Sequence, residues 1–411
     1  MSRRVVVTGM AGLCPLGLDW PAVRDALRGA RSGVSTVPEW SVYAGLKTRL
    51  GGFVPGFTVP PHYPRKSIRA MGRVALLATR ASELALADAG LLDSSILTDG
   101  STGVAYGSTS GSPPAMANYA RQFLADSIKG IAATDYIQFM SHTCAANLAV
   151  FFGITGRLVP TCSACTSGSQ GIGYGYEAIR SGRQHVMVTG GAEELHAIDA
   201  AVFDIMFATS TLNEEPHRTP RPFDRLRDGL VVAEGAATLV LEELSHAQAR
   251  NARIHAEIVG FATNCDGKHI TNPDARGMRR VIELALEDAA LAAEQIDYVN
   301  AHGTATRLGD IAESHATHAV FGGGVPFSSI KGFMGHTLGA CGALEAWITI
   351  QMMREGWVAP TLNLDDVDAE CAPLDYVMHA PRRRDVEYAV SNNFAFGGVN
   401  TSLVFRRWTG V

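Results

Sequence analysis

Glu83–Leu91 reads ELALADAGL, and much further along Glu283–Leu291 reads ELALEDAAL. Both close a stretch whose apolar residues recur at helical spacing. Each is followed by an expected strand and a small-residue loop, GVAYGSTSG at 103–111 and YVNAHGTAT at 298–306. Beyond these, GSQGIGYGYEAIRSG (168–182) resembles GACGALEAWITIQMMREG (339–356), two Gly/Ala-rich helices that end in Arg, one residue and Gly. Before them, VVVTGMAG (5–12) echoes AEIVGFAT (256–263). One such match between Ala/Leu-rich segments is chance. Four in the same order predict a duplicated chain, with halves 1–250 and 251–411 and a seam near residue 250.

Within each half short apolar strands alternate with helices: VVVTG, GVAYG, HVMVTGG and ATLVLEEL, then AEIVGF, YVNAHG, VPFSSI and YAVSNNF. That alternation predicts an α/β fold with its sheets buried between helices. Residues 110–158 read as an irregular insertion of mixed polar and aromatic content. Residues 207–229, FATSTLNEEPHRTPRPFDRLRDG, read as a long loop, and loops of that length in a compact domain are usually functional.

Composition narrows the class. The chain has 411 residues, 46% hydrophobic and 18% charged, which excludes a disordered polymer. A net charge of −5 argues against a general nucleic-acid binder, which needs a basic face. No apolar run reaches the ~18 residues that cross a bilayer. The start, MSRRVVVTGMAGLCPLG, is a strand and turn rather than a secretory leader, so a cytoplasmic enzyme is expected. The 43 glycines exceed the usual ~7% and sit among Val, Ala and Leu, marking close backbone packing. Seven cysteines without a leader point to reduced thiols.

Val159–Ser169, VPTCSACTSGS, contains Cys162-x-x-Cys165. Three functional readings compete: a thiol–disulfide redox pair, half a zinc site lacking its second half, and one nucleophile at the start of a helix. A fourth is two buried structural cysteines. The helix N-terminus near Cys165 favours a thiolate. His302, in NAHGTAT (300–306), and His336, in KGFMGHTLGA (331–340), each lie in a small-residue loop. In a duplicated fold such loops converge, giving a thiol and two imidazoles in one pocket. The segment SNNFAFGGVN (391–400) runs from a strand into two glycines, a turn that can aim a backbone N–H at a ligand.

These residues carry a family resemblance. The chain is similar to the β-ketoacyl-acyl carrier protein synthases, the condensing enzymes of type II fatty acid and polyketide assembly, and most resembles the synthase II branch. The matching segments are SACTSG (163–168), IRSG (179–182), VMVTGGAE (186–193), RPFDRLRDGLVVAEGA (221–236), VNAHGTATRLGD (299–310), SSIKGFMGHTLGACGALEA (328–346) and SNNFAFGGVN (391–400). The resemblance implies the thiolase fold, duplicated βα halves in a five-layer αβαβα sandwich, assembled as a homodimer or as a heterodimer with a paralogue. It implies that Cys165 accepts the acyl group and that His302 and His336 stabilise the enolate formed when malonyl loses carbon dioxide. Lys331 and Glu313 match the family's lysine and the acidic residue near it. Cys165 and Phe396 match the oxyanion N–H groups, and Phe396 also the gate. Thr304 and Thr306 match the pantetheine-binding threonines. No cofactor or metal is implied, the substrates arriving on the phosphopantetheine of an acyl carrier protein. Neither a nucleic acid nor a membrane is an implied partner.

Ala395 stands where the family has a glycine, and Val399 where it has a threonine, which is expected to stiffen the gate. The stretch FMSHTCAANLAVFFG (139–153) departs from the family's pattern, and His142 and Cys144 are expected to add polarity near the acyl tunnel. Lys66, Arg69 and Arg73 are spaced for one helix face that docks the acidic carrier protein.

Overall fold

The computed structural model describes residues 3–410. Val5, Val6 and Val7 are fully buried, and the run continues as strand β1 (Val5–Leu13). A strand apolar on both faces belongs between two layers. The first half adds β2 (Thr102–Gly107), β3 (Leu158–Thr161), β4 (Val186–Glu193) and β5 (Gly235–Glu243). The second supplies β6 (Ala256–Cys265), β7 (Tyr298–Asn300), β8 (Pro326–Ser328), β9 (Asp375–Tyr376), β10 (Tyr388–Ala395) and β11 (Val399–Arg407).

The spatial order is β9-β8-β7-β10-β11-β6-β1-β5-β4-β2-β3. Read outward from the centre, β1-β5-β4-β2-β3 and β6-β11-β10-β7-β8 repeat one pattern, which is the duplication seen in the sequence. The half-sheets join through a short antiparallel pairing, Val5 opposite Ile258 and Val7 opposite Ala256.

Helices complete the layers. Those that matter for the layers and the site are, in chain order, α1 (Arg73–Asp88), α2 (Pro113–Leu124), α3 (Ala133–Phe139), α4 (Thr143–Phe152), α5 (Ser167–Arg180), α6 (Ala197–Ile205), α7 (Ala275–Ala289), α8 (Arg307–Phe321) and α9 (Cys341–Glu355). α1 covers the outer face of β1, β4 and β5, and α7 that of β6 and β11. α5 and α9 lie in the middle, α5 touching β2 and β4 on one side and β6 and β11 on the other. The result is the five-layer arrangement of a thiolase fold. Twelve of the 15 residues of α9 are buried, as expected of a helix with no solvent face.

The insertion departs from the expectation of irregular structure. It folds as α2, α3 and α4. Pro113 starts the first at a position where its missing N–H costs nothing, and Gly153 ends the third in the left-handed region. Its aromatic residues are packing residues: Tyr119 meets the Phe139 ring at 5.3 Å between centroids. The stretch 207–229 is largely loop, as expected. Among the described residues, no helix is long and apolar enough to cross a membrane.

Candidate active site

Cys165 lies between β3 and α5. Ala164 before it has φ +52°, a strained value for an L-residue, and a single 3-10 turn (Ala164–Thr166) leads into the helix. The Ser167 hydroxyl donates to the Ala164 carbonyl at 2.7 Å and accepts the Ser163 N–H at 3.0 Å, which locks the turn. The same turn recurs in the second half: Leu338 has φ +45°, the 3-10 turn spans Leu338–Ala340, and α9 begins at Cys341. Gly339 is therefore the counterpart of Cys165.

The two helix starts meet back to back, with glycine at the contact. A Cβ on Gly168 would lie 2.9 Å from the Ala343 N, and one on Gly342 would lie 2.8 Å from the Ser169 Cβ. This contact brings the halves' loops together. The His336 Nε2 lies 3.1 Å from the Cys165 Sγ. A ring nitrogen of His302 completes a cluster whose three ligating atoms all lie within 4.8 Å of one another, every residue buried.

Behind the histidines sits a buried polar network. The Lys331 ammonium donates to the His302 carbonyl at 2.6 Å and to its Nδ1 at 3.3 Å. A donor at Nδ1 assigns the His302 proton to Nε2. Lys331 also pairs with Glu345, whose other oxygen accepts from the Asn393 amide at 2.7 Å. Burial opposes the Lys331 charge, yet Glu345 carries its pKa above the ordinary lysine value. Burial, helped by Lys331, holds both imidazoles well below the ordinary histidine range, so they are neutral. Burial pushes the Cys165 thiol up to about 12 against the pull of Lys331. The resting site is thus a neutral thiol beside a neutral imidazole. The helix itself starts two residues after Cys165, and its dipole does not outweigh desolvation there.

Several expected residues stand elsewhere than the sequence suggested. Glu313 is buried near Lys331, as the sequence suggested, but makes no ion pair with it. Its two oxygens accept the backbone N–H groups of His302 and Gly303, both at 2.7 Å. Burial raises it to about 8. Lys66, Arg69 and Arg73 share no helix face. Lys66 belongs to a four-residue helix, Arg65–Ile68, Arg69 follows it, and Arg73 opens α1 after Gly72. Arg73 is bound at 2.6 and 2.9 Å to the fully buried carboxylate of Glu234, so only Lys66 and Arg69 are exposed. His142 is exposed, and Cys144 packs in the core beneath α1. The Cys162 thiol points to the Ser141 carbonyl at 2.8 Å, away from Cys165, and both are free.

Thr304 and Thr306 lie side by side, hydroxyl to hydroxyl at 2.9 Å, in the wall of a cavity of about 610 Å³. That cavity reaches Cys165, His302, His336 and Phe396. The Phe396 ring packs on Phe203, 5.4 Å between centroids. Gly397 and Gly398 take the positive φ values of this hairpin, +86° and +71°, while Ala395 and Val399 pair opposite one another in the ladder. The two departures therefore occupy backbone that any L-residue adopts.

Sequence reasoning missed Glu345, Asn393 and Glu193. Two of the three had a signal: an acid inside an otherwise apolar helix, ALEAW, and an acid closing a buried strand, GGAE.

Comparison with known proteins agrees with this geometry. The sequence profile of the beta-ketoacyl synthase N-terminal domain matches residues 2–247, and that of the C-terminal domain matches 255–365. A 3-oxoacyl-[acyl-carrier-protein] synthase 2 from Vibrio cholerae is 37% identical, covering 98% of this chain and 99% of its own. A crystal structure of a beta-ketoacyl synthase from Burkholderia phymatum superimposes with a TM-score of 0.98 at 56% identity, over 99% of this chain and 100% of that one. A type II PKS ketosynthase structure, in complex with its acyl-carrier protein and bound to the hexaketide, aligns over the full length of both chains with a TM-score of 0.88 at 29% identity.

Proposed function

The chain belongs to the β-ketoacyl synthase family, and from that premise we propose that it takes an acyl group from acyl carrier protein onto Cys165 and extends it in fatty acid elongation. The extending unit is malonyl on a second carrier, and the products are carbon dioxide and a 3-oxoacyl carrier thioester. The observation that supports this is the Cys165–His336 contact of 3.1 Å beside His302, at the end of a cavity open to solvent.

In the first step the Cys165 sulfur attacks the acyl thioester, and its proton leaves with the pantetheine thiol. The His336 Nε2 is the ring nitrogen nearest that sulfur, at 3.1 Å. In the second step the malonyl carbon–carbon bond breaks, carbon dioxide departs, and the electron pair forms an enolate. Neutral imidazoles donate hydrogen bonds to the thioester oxygen as its charge grows. The enolate carbon attacks the acyl-Cys165 carbonyl, and the sulfur leaves as a thiolate that takes its proton from water. The N–H groups of Cys165 and Phe396 are proposed to hold the tetrahedral oxyanion, and Thr304 and Thr306 the pantetheine amides. Decarboxylation drives bond formation, so the reaction calls for no metal or redox cofactor.

The partners proposed are carrier protein and a second copy of the chain. β3 is an edge strand with Leu158 exposed, and Phe123, Leu124 and Val150 of the neighbouring insertion are exposed as well. Such an edge beside an apolar patch favours covering by a like strand. A dedicated polyketide pathway is the second reading, favoured by the likeness to the hexaketide-bound ketosynthase.

The test is acyl loading followed by intact-protein mass. Cys165→Ala is expected to abolish acylation and condensation, and Cys162→Ala to retain most of both. Equal loss in the two variants would overturn the assignment and return the Cys162/Cys165 pair to a redox role.

A further inference from the structure

Glu193 closes β4 with a side chain only 1% exposed. One carboxyl oxygen accepts two backbone N–H groups, from Thr109 at 3.0 Å and from Gly339 at 2.9 Å. The other is buried with no hydrogen-bond partner among the described residues. Thr109 belongs to the loop after β2. Gly339 lies three residues after His336 and is the counterpart of Cys165. The counterpart of the amide proposed for the oxyanion in the first half is, in the second half, occupied by this carboxyl group. The fit admits nothing else, since a Cβ on Gly339 would lie 2.9 Å from the Glu193 oxygen and 2.8 Å from the Thr109 N.

A backbone clamp alone would account for the two hydrogen bonds. The position of the charge adds a second role. An ionised Glu193 raises the proton affinity of three thiols around it, Cys144, Cys162 and Cys165. The other charges nearby are Asp199 on α6, and Glu194 with Arg73 beside it. Lys331 and Glu345 act on Cys165 as well. Burial raises Glu193 to about 8, so its own ionisation falls within a working pH range.

We propose that Glu193 is a positioning residue for the condensation: its carboxyl group ties the Thr109 loop to the His336 loop, and its buried negative charge acts on the sulfur of Cys165. This rests on the reading of Cys165 as acyl acceptor. Glu193→Gln keeps an oxygen for the two N–H groups and removes the charge. The full chain is alkylated with iodoacetamide across pH, and Cys165 is followed by peptide mass to separate it from the exposed Cys162 and Cys265. Glu193→Gln is expected to unfold at nearly the wild-type temperature and to react about three- to tenfold faster at Cys165 above pH 8, its profile moved to lower pH. Glu193→Ala is expected to lower condensation kcat at least about tenfold with a near-constant KM for malonyl carrier. Superimposable alkylation profiles for wild type and Glu193→Gln overturn the proposal, whether or not the Ala variant folds. Failure of wild-type Cys165 to load an acyl group overturns the assignment of the nucleophile instead, and leaves the alkylation comparison intact.

Discussion

At Lys331 two requirements meet in one fully buried side chain. Its ammonium fixes the tautomer of His302, and it neutralises Glu345 in a place water does not reach. Removing one partner of a buried pair strands the other charge. Lys331→Ala is therefore expected to cost about 3–5 kcal/mol in chemical denaturation. In the fraction that folds, malonyl decarboxylation should fall more than acyl loading, read as carbon dioxide release against intact mass. His302→Ala and His336→Ala should show the same split with a decarboxylation loss of about 10²–10³-fold, since each removes a donor aimed at developing charge. Equal loss of loading and decarboxylation would contradict those roles. Cys165 and both histidines were legible in the sequence because each stands in a loop of small residues, within segments that resemble the family's. Glu345 was not. Its burial follows from a second sheet covering α9, which no local pattern announces.

Among the elements, the strand–turn–helix unit carries the site and leaves no room for side chains. A Cβ on Gly191 would lie 2.4 Å from the Gly339 carbonyl and 2.8 Å from the Gly168 Cα. Both obstacles are backbone, so Gly191→Ala is expected to destabilise by at least about 1–3 kcal/mol and to slow acyl loading of Cys165. The basic residues before and within α1 separate by element too. Reversing Lys66 and Arg69 together should raise the KM for acyl carrier protein and leave the melting temperature alone. Arg73→Ala should lower the melting temperature, because it strands buried Glu234. The long strands and the Gly-rich helices could be read from period and composition. The insertion could not, because α2 and α3 pack chiefly on each other, and α4 joins the core through α1, β2 and β3, contacts that its own sequence does not announce.

At the scale of the whole molecule, buried acids set the response to pH. Burial raises Glu193 and Glu313 to about 8 and Asp199 to about 7. Carboxyls that bind protons more tightly folded than unfolded lend stability below their unfolded pKa and lose it as pH rises through the folded one. The melting temperature is thus expected to fall between about pH 6 and pH 8.5, and Glu193→Gln to flatten that fall. An unchanged melting temperature across that range would contradict the direction of these shifts. The duplication was legible from four echoing segments, and it holds strand for strand in the sheet order. The join of the half-sheets was not, since Val5–Val7 reads as any buried strand and its partner lies in the other half of the chain. The paired turns at Ala164 and Leu338 are alike in backbone and unlike in use. In this chain one elbow bears a thiol at an open cavity, while its twin has no side chain and a pocket sealed by an internal acid. The sealed elbow is the anvil on which the open one is set.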